Sequence, residues 1–328
     1  MKASEADKFG LSPQTFTELC HSVTSIVRNA WPVNFQLPLE ASESIQGATP
    51  PMNPHVGGVS KLVDFATAAK HRPRIVFVST LAAVLRYSSP NGKVPEEVIN
   101  DPSAPEDSGY AQSKCMGEQI LQAAAETHAV RRPVIIRMGQ IAGPLPHLKV
   151  VKGSGSVWQA DQVVPSMVLS SKAIAALPET LGEKNKIRWI PVDTCARIIL
   201  ELAGSPDPES KTPDASVFNI TNLARTDREL SWIADILPLV RARLEKSQAV
   251  QVLSLNDWVD KMIEYGPRAD NPASRLINFF EDLAGSDEHG GLGSNIEVAK
   301  SQAASKSFKE LGAVRPEWTE YWMNGWHL

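Results

Sequence analysis

Tyr110-Ala-Gln-Ser-Lys114 sets a phenol and an ammonium four residues apart, and Ser79-Thr80 closes the apolar run Ile75-Val-Phe-Val78 some thirty residues earlier. On a helix, side chains four apart share one face, so the ammonium can lie beside the phenol and favour its ionised form. A hydroxyl at the end of a neighbouring strand adds a third polar group. Three such groups can hold and protonate a carbonyl oxygen as negative charge develops on it, which is what hydride transfer to a carbonyl requires. A Tyr–Lys pair at this spacing is common by chance, so its surroundings must carry the argument.

Those surroundings alternate between strand and helix. Thr24–Arg28 is short and β-branched and reads as a buried strand running into the loop Asn29–Phe35. Ser12–Val23, opened by Ser-Pro, and Val56–Ala69 have helical apolar spacing. Arg74–Ser79 and Arg132–Arg137 are apolar runs of strand length, and Tyr110 to about His128 is the long helix between them. Near-continuous apolar strands separated by helices define an α/β fold whose parallel sheet is covered on both faces. Its ligand is expected beyond the strand C-termini, where Asn29, Thr80 and Gly139 all fall. Further on, Val163–Leu177 reads as a helix, Ile187–Ile190 as a strand, Val192–Leu202 as a helix capped by Asp193 or Thr194, and Val217–Ile220 as a strand. The pattern from Glu229 to Leu328 is mainly helical (Leu230–Leu244, Leu255–Tyr265, Pro272–Leu283, Ile296–Leu311, Trp318–Trp326), with Asp287–Ser294 as a linker.

Composition narrows the classes. A net charge of −4 gives no electrostatic reason to bind nucleic acid or an anionic membrane. No apolar run approaches a membrane span. The first residues lack the apolar core of a secretory signal, so a cytoplasmic protein is expected. Cys20, Cys115 and Cys195 are isolated, without metal-ligand spacing, and the seven His are scattered; reduced thiols and structural histidines are the expectation, with no metal.

Taken in order, Arg28-Asn-Ala-Trp-Pro-Val-Asn-Phe35, Pro73–Thr80, Gly109-Tyr-Ala-Gln-Ser-Lys114, Arg137-Met-Gly-Gln-Ile-Ala-Gly143, Val164–Lys172 and Trp189-Ile-Pro-Val-Asp193 form a specific set. The set resembles the thioester reductase domains of nonribosomal peptide synthetases, synthetase-like adenylate-forming reductases and carboxylic acid reductases, which are extended short-chain dehydrogenases/reductases. Asn271–Phe280 is similar to a helix of their C-terminal substrate lobe. The resemblance runs from about Phe9 to the end of the sequence. It departs from the family at one place: the opening strand and Gly-rich turn, whose backbone N–H groups hold the cofactor pyrophosphate, have no counterpart. The sequence therefore reads as beginning just before the fourth strand of the sheet, as an N-terminally truncated member.

The resemblance implies an incomplete Rossmann-like parallel sheet with helices on both faces, spanning 1–225, in which 144–190 partly contribute to the substrate side. Residues 226–328 would form a mainly helical substrate and carrier lobe. It implies Thr80, Tyr110 and Lys114 as catalytic residues, with Ser79 as the rival hydroxyl to Thr80. Cofactor contacts would come from Asn29, Tyr110, Lys114, Gly139 and Gln140. The cofactor implied is NADPH. The substrate is an acyl or peptidyl chain on a phosphopantetheinylated carrier protein acting in trans, released as an aldehyde or, after a second round, an alcohol. Each residue also has a plainer explanation: a solvated helix pair for Tyr110 and Lys114, a strand-end cap for Thr80, a turn for Asn29 and Gly139. Asp193 is expected to be structural, and Trp31, Trp158 and Trp189 core residues rather than channel walls. Two other functions stay open. One is another extended short-chain enzyme, such as an epimerase or fatty acyl-CoA reductase; the other is a non-catalytic fragment that does not bind cofactor.

Overall fold

A computed structural model describes residues 8–33, 39, 54–89, 91–146, 158–205, 213–223, 230–285, 295–326 and 328. In chain order its elements are α1 (Pro13–Ser22), β1 (Ser25–Arg28), α2 (Pro54–Ala68), β2 (Arg74–Thr80), α3 (Gly109–Glu126), β3 (Val134–Met138), β4 (Ile141–Ala142), α4 (Val163–Ile174), β5 (Ala176–Pro178), β6 (Ile190–Pro191), α5 (Val192–Ala203), β7 (Ser216–Ile220), α6 (Leu237–Leu244), β8 (Gln251–Leu253), α7 (Leu255–Tyr265), α8 (Ile277–Ala284), α9 (Ala299–Ala304), α10 (Lys306–Lys309) and α11 (Pro316–Gly325). The motif residues Asn34 and Phe35 and the Asp287–Ser294 linker lie outside the described residues.

The apolar runs read as strands pair in the order β1-β2-β3-β7, all parallel. Register aligns Arg28 with Phe77 and Thr80 with Met138, so the strand C-termini end at one rim. Strands β3 and β7 are buried at every position and β2 at all but Thr80, as their uninterrupted apolar sequences require. β1 alternates exposed and half-buried residues. On one face, α2 and α3 pack Val59, Ala66 and Leu121 against Ile75, Phe77 and Ile135. Gly117 makes that approach possible: a Cβ there would stand 2.8 Å from the Phe77 ring.

The chain forms two compact units drawn from interleaved stretches: Met1–Met138, Ile199–Ile220 and Asn295–Ser305 make one, and Gly139–Ile198, Thr221–Ser294 and Lys306–Leu328 the other. The division read from sequence has a single boundary after 225; the compact units change over where the chain leaves β3.

The second unit is built on tryptophan. Trp158 meets Trp189 and Trp322 edge to face at 5.1 and 5.2 Å. The buried indoles of Trp322 and Trp326 donate their N–H groups to Pro144 O and Trp158 O, both at 2.8 Å. Here the structure departs from the local pattern. The helix expected to reach Leu177 stops at Ile174, because Ala175 turns left-handed (φ 53°) and Ala176–Pro178 become β5, paired in parallel with β8. The strand expected over Ile187–Ile190 is reduced to β6, paired with β4. The 230–244 helix opens with a wide π-type turn at Trp232–Ile236. In the first unit and beyond, the 296–311 helix is split at the extended Ser305 into α9 and α10.

Candidate active site

Local chemistry brings the two halves of the site to the sheet rim. Ser108 caps α3 by accepting the Ala111 N–H at 3.2 Å, which puts Tyr110 in the first helical turn and Lys114 one turn on. On the strand side, Thr80 ends β2, where its hydroxyl accepts the Ala82 N–H at 3.3 Å and starts a short 3-10 turn. The Thr80 side chain acts on the Tyr110 phenol, favouring its ionised form. Thr80 is thus both a strand-end cap and the phenol's partner. Ser79, the rival hydroxyl, is buried and donates to Glu118 Oε1 at 2.5 Å, which removes it from the rim.

Burial pushes the Tyr110 phenol above its ordinary value, and Thr80 opposes that rise. The sequence suggested that Lys114 would draw the phenol down. In the structure Lys114 is engaged elsewhere: its Nζ donates to Val78 O at 2.6 Å and lies 4.4 Å from the Trp31 ring centroid and 4.9 Å from that of Phe77. The Tyr110 ring is farther, at 6.0 Å. Desolvation, reinforced by Arg28 and opposed by Glu118, lowers Lys114 to about 7. Near neutral pH much of the lysine is then uncharged, and its pull on the phenol is correspondingly weak.

Trp31 is the hub of this end of the unit. Its Nε1 donates to Ser113 Oγ at 3.2 Å, the Arg28 guanidinium lies 5.4 Å from its ring, and the His55 ring is 5.5 Å away. Burial, then Arg28, then Lys114 lower the His55 pKa. Trp31 is therefore neither buried core nor channel wall alone, since it covers the ammonium. Asn29 is exposed just past β1. Gly139 and Gln140 follow β3 into the second unit, where Gln140 O accepts the Ile190 N–H at 2.9 Å and Gln140 Nε2 donates to Ile141 O. Asp193 sits in the first turn of α5, accepting the Leu145 N–H and pairing with Arg197 at 2.9 Å, a structural use. The thiols of Cys115 and Cys195 are buried and pushed up to about 11 and about 12, which leaves both unreactive.

Sequence reasoning passed over Glu118 and Arg137. Their side chains form a buried ion pair at 2.6 Å directly behind the site. The signal was present, since Glu118 lies four residues after Lys114, and a strand arginine between apolar residues demands an anion. Among the described residues no cluster of His, Cys, Asp and Glu could hold a metal, and no helix is long and apolar enough to cross a membrane.

A parallel sheet of four strands with helices packed on it, its strands ending at one rim, defines a Rossmann-like α/β fold. The NAD-binding family described as Male sterility protein matches residues 4–199, and the chain belongs to it. It is 30% identical to a carboxylic acid reductase of Neurospora crassa over 99% of this chain and 29% of that protein. It is 28% identical to the adenylate-forming reductase Nps9 of Serpula lacrymans over 97% of this chain and 28% of the relative. The chain thus spans under a third of the length of these relatives. Its fold matches the terminal R domain from the myxalamid PKS-NRPS pathway with a TM-score of 0.69 at 18% identity, over 96% of this chain and 71% of that one. The reductase domain of a nonribosomal peptide synthetase from Mycobacterium tuberculosis gives 0.68 at 18%, over 99% and 74%.

Proposed function

We propose that this chain is a reductase that uses NADPH to release an acyl or peptidyl group from its carrier-protein thioester as an aldehyde. The observation that carries this reading is the placement of Thr80, at the end of β2 where it acts on the Tyr110 phenol, beside the first turn of α3 that carries Tyr110, with Lys114 one turn along. Family membership supports a nicotinamide cofactor, and the name of one relative, a carboxylic acid reductase, supports a carboxyl-level substrate.

The residues present suit the nicotinamide end of such a cofactor. The rim offers the hydroxyls of Thr80 and Tyr110 and, one helical turn on, a buried lysine whose Nζ donates to Val78 O. Lys114, Tyr110 and Asn29, with Gly139 and Gln140, are the residues assigned to hold it; a Gly-rich turn for the pyrophosphate does not occur in the sequence. When bound, the cofactor supplies the hydride that the thioester carbonyl carbon accepts. Thr80 and Tyr110 hold the carbonyl oxygen, and Tyr110 passes its proton to it as charge develops. Protonated Lys114 favours the phenolate left behind. The resulting hemithioacetal loses its C–S bond, the sulfur leaves as the carrier's thiol, and the carbonyl reforms as an aldehyde. Residues 226–328 serve in this reading as the substrate and carrier lobe, and the carrier acts in trans.

The test is incubation of the full chain with an acyl-phosphopantetheinyl carrier and either NADPH or NADH, with mass spectrometry of the products. Free aldehyde and unloaded carrier, faster with NADPH, support the reading. Intact thioester, together with no nucleotide binding by calorimetry, rejects it.

A further inference from the structure

Behind the rim lies a polar network that neither the sequence pattern nor the comparisons assign. Glu118 is 1% exposed and Arg137 fully buried. The carboxylate accepts Ser79 Oγ at 2.5 Å, Arg137 Nε at 3.0 and 3.1 Å, and Arg137 Nη2 at 2.6 Å. The far side of the guanidinium donates to Pro95 O at 3.3 Å and Glu97 O at 3.0 Å. Asn219 of β7 grips the same loop, donating to Pro95 O at 3.2 Å and to Glu297 O at 3.0 Å. Two strands thereby meet one helix at a single carboxylate, and Arg137 carries the network on to the loop that Asn219 of β7 also holds.

Its position gives the network its meaning. Ser79 is the residue before Thr80, and Glu118 is one helical turn beyond Lys114, itself one turn beyond Tyr110. A burial of this kind is expensive, because two ions leave water, and an apolar pair of similar shape would serve stability as well. What an apolar pair could not supply is a fixed negative charge beside Lys114 and a directional bond to the residue next to Thr80.

We infer that Glu118 is a positioning residue of the site: it sets the register between the Thr80 end of β2 and the Tyr110–Lys114 face of α3, and it keeps a negative charge behind the lysine. The inference rests on the reductase reading for its link to turnover. The charges facing Lys114 come from each neighbouring element: Arg28 from β1, His55 from α2, Tyr110 and Glu118 from its own helix, and Arg137 from β3 paired to Glu118; β2 presents only the Val78 carbonyl and the Phe77 ring. Arg28 and desolvation favour the neutral amine, and Glu118 is the charge that opposes them.

The experiment compares the full wild-type chain with Glu118→Gln and Ser79→Ala. It follows melting, the Lys114 titration by NMR of isotope-labelled lysine, and thioester reduction with NADPH. Glu118→Gln keeps the shape and removes the charge. The Lys114 midpoint is expected to fall by about one pH unit, and kcat by roughly 10–100-fold with the cofactor KM within about twofold. The alkaline decline in rate then begins at lower pH. A folded Glu118→Gln chain with wild-type midpoint and wild-type kcat overturns the inference. Should that variant not fold, Ser79→Ala decides: it leaves the ion pair in place, and is expected to lower kcat by roughly 3–10-fold with an unmoved lysine midpoint, whereas unchanged kcat overturns the inference. If the wild-type chain reduces no thioester, the reductase reading fails on its own, and the lysine titration still decides the role of Glu118.

Discussion

Thr80 favours the ionised form of the Tyr110 phenol although the two come from different elements, Tyr110 in the first turn of a helix and Thr80 at the last residue of a strand. Ser108 fixes the first by capping the helix, and the parallel register with β3 fixes the second. Neither hydroxyl alone would distinguish a catalytic rim from an ordinary strand end.

Thr80→Val keeps the β-branched shape and removes the hydroxyl. Its loss takes away one donor to the developing oxyanion, so kcat is expected to fall by roughly 100-fold. The opposing influence on the phenol also disappears, so the Tyr110 pKa should rise further. Ultraviolet titration of tyrosine in the Thr80→Val and wild-type chains checks the second effect without any substrate.

Lys114 has a folded pKa of about 7 against an ordinary 10.5. Between those values the unfolded chain binds more protons at this site than the folded one, so folding gains stability as pH rises through that window. Below about 7 the burial penalty is fully felt. Lys114→Met has no such group. The melting temperature of wild type relative to Lys114→Met is therefore expected to climb from pH ~6 to pH ~9; parallel curves would show that Lys114 is not desolvated as described.

How much of this was open to a reader of the sequence depends on range. The parallel sheet was legible because β2, β3 and β7 are buried on both faces and so are apolar throughout. The Tyr110–Lys114 pair was legible because helix geometry alone joins them. The α4 end at Ile174 was not, since it depends on β5 pairing with β8 from about seventy-five residues further along the chain. The cover of Trp31 over Lys114 was hidden for the same reason: eighty-three residues separate two groups whose rings and charge meet only in the fold. Pairing Glu118 with Lys114 by spacing was possible, but spacing could not say that Arg137 and Ser79 would claim the carboxylate first.

Arg137→Met strips the partner from a fully buried carboxylate. A loss of about 3–5 kcal/mol is expected, and the double variant Glu118→Met with Arg137→Met should recover much of it. Urea unfolding of the three chains measures both. A double variant no better than the single one would mean that the loop contacts to Pro95 and Glu97, not the uncompensated charge, dominate.

Gly117→Ala places a methyl 2.8 Å from the Phe77 ring in the packed layer between α3 and β2. The gain in helix propensity, about 1 kcal/mol, competes with an overpacking cost of about 1–3 kcal/mol. A net destabilisation is expected because Phe77 is fully buried and the ring has no room to retreat. Denaturant melts settle the sign.

The most direct test of the account is a single-turnover comparison of wild type and Tyr110→Phe, with an acyl-loaded carrier protein and NADPH in excess over substrate. The phenol's proton is assigned to the carbonyl oxygen, so wild type should release aldehyde and Tyr110→Phe should be slower by roughly 100–10,000-fold while binding nucleotide as before. Equal rates in the two chains would contradict the assignment of Tyr110, and with it the chemistry proposed for this rim.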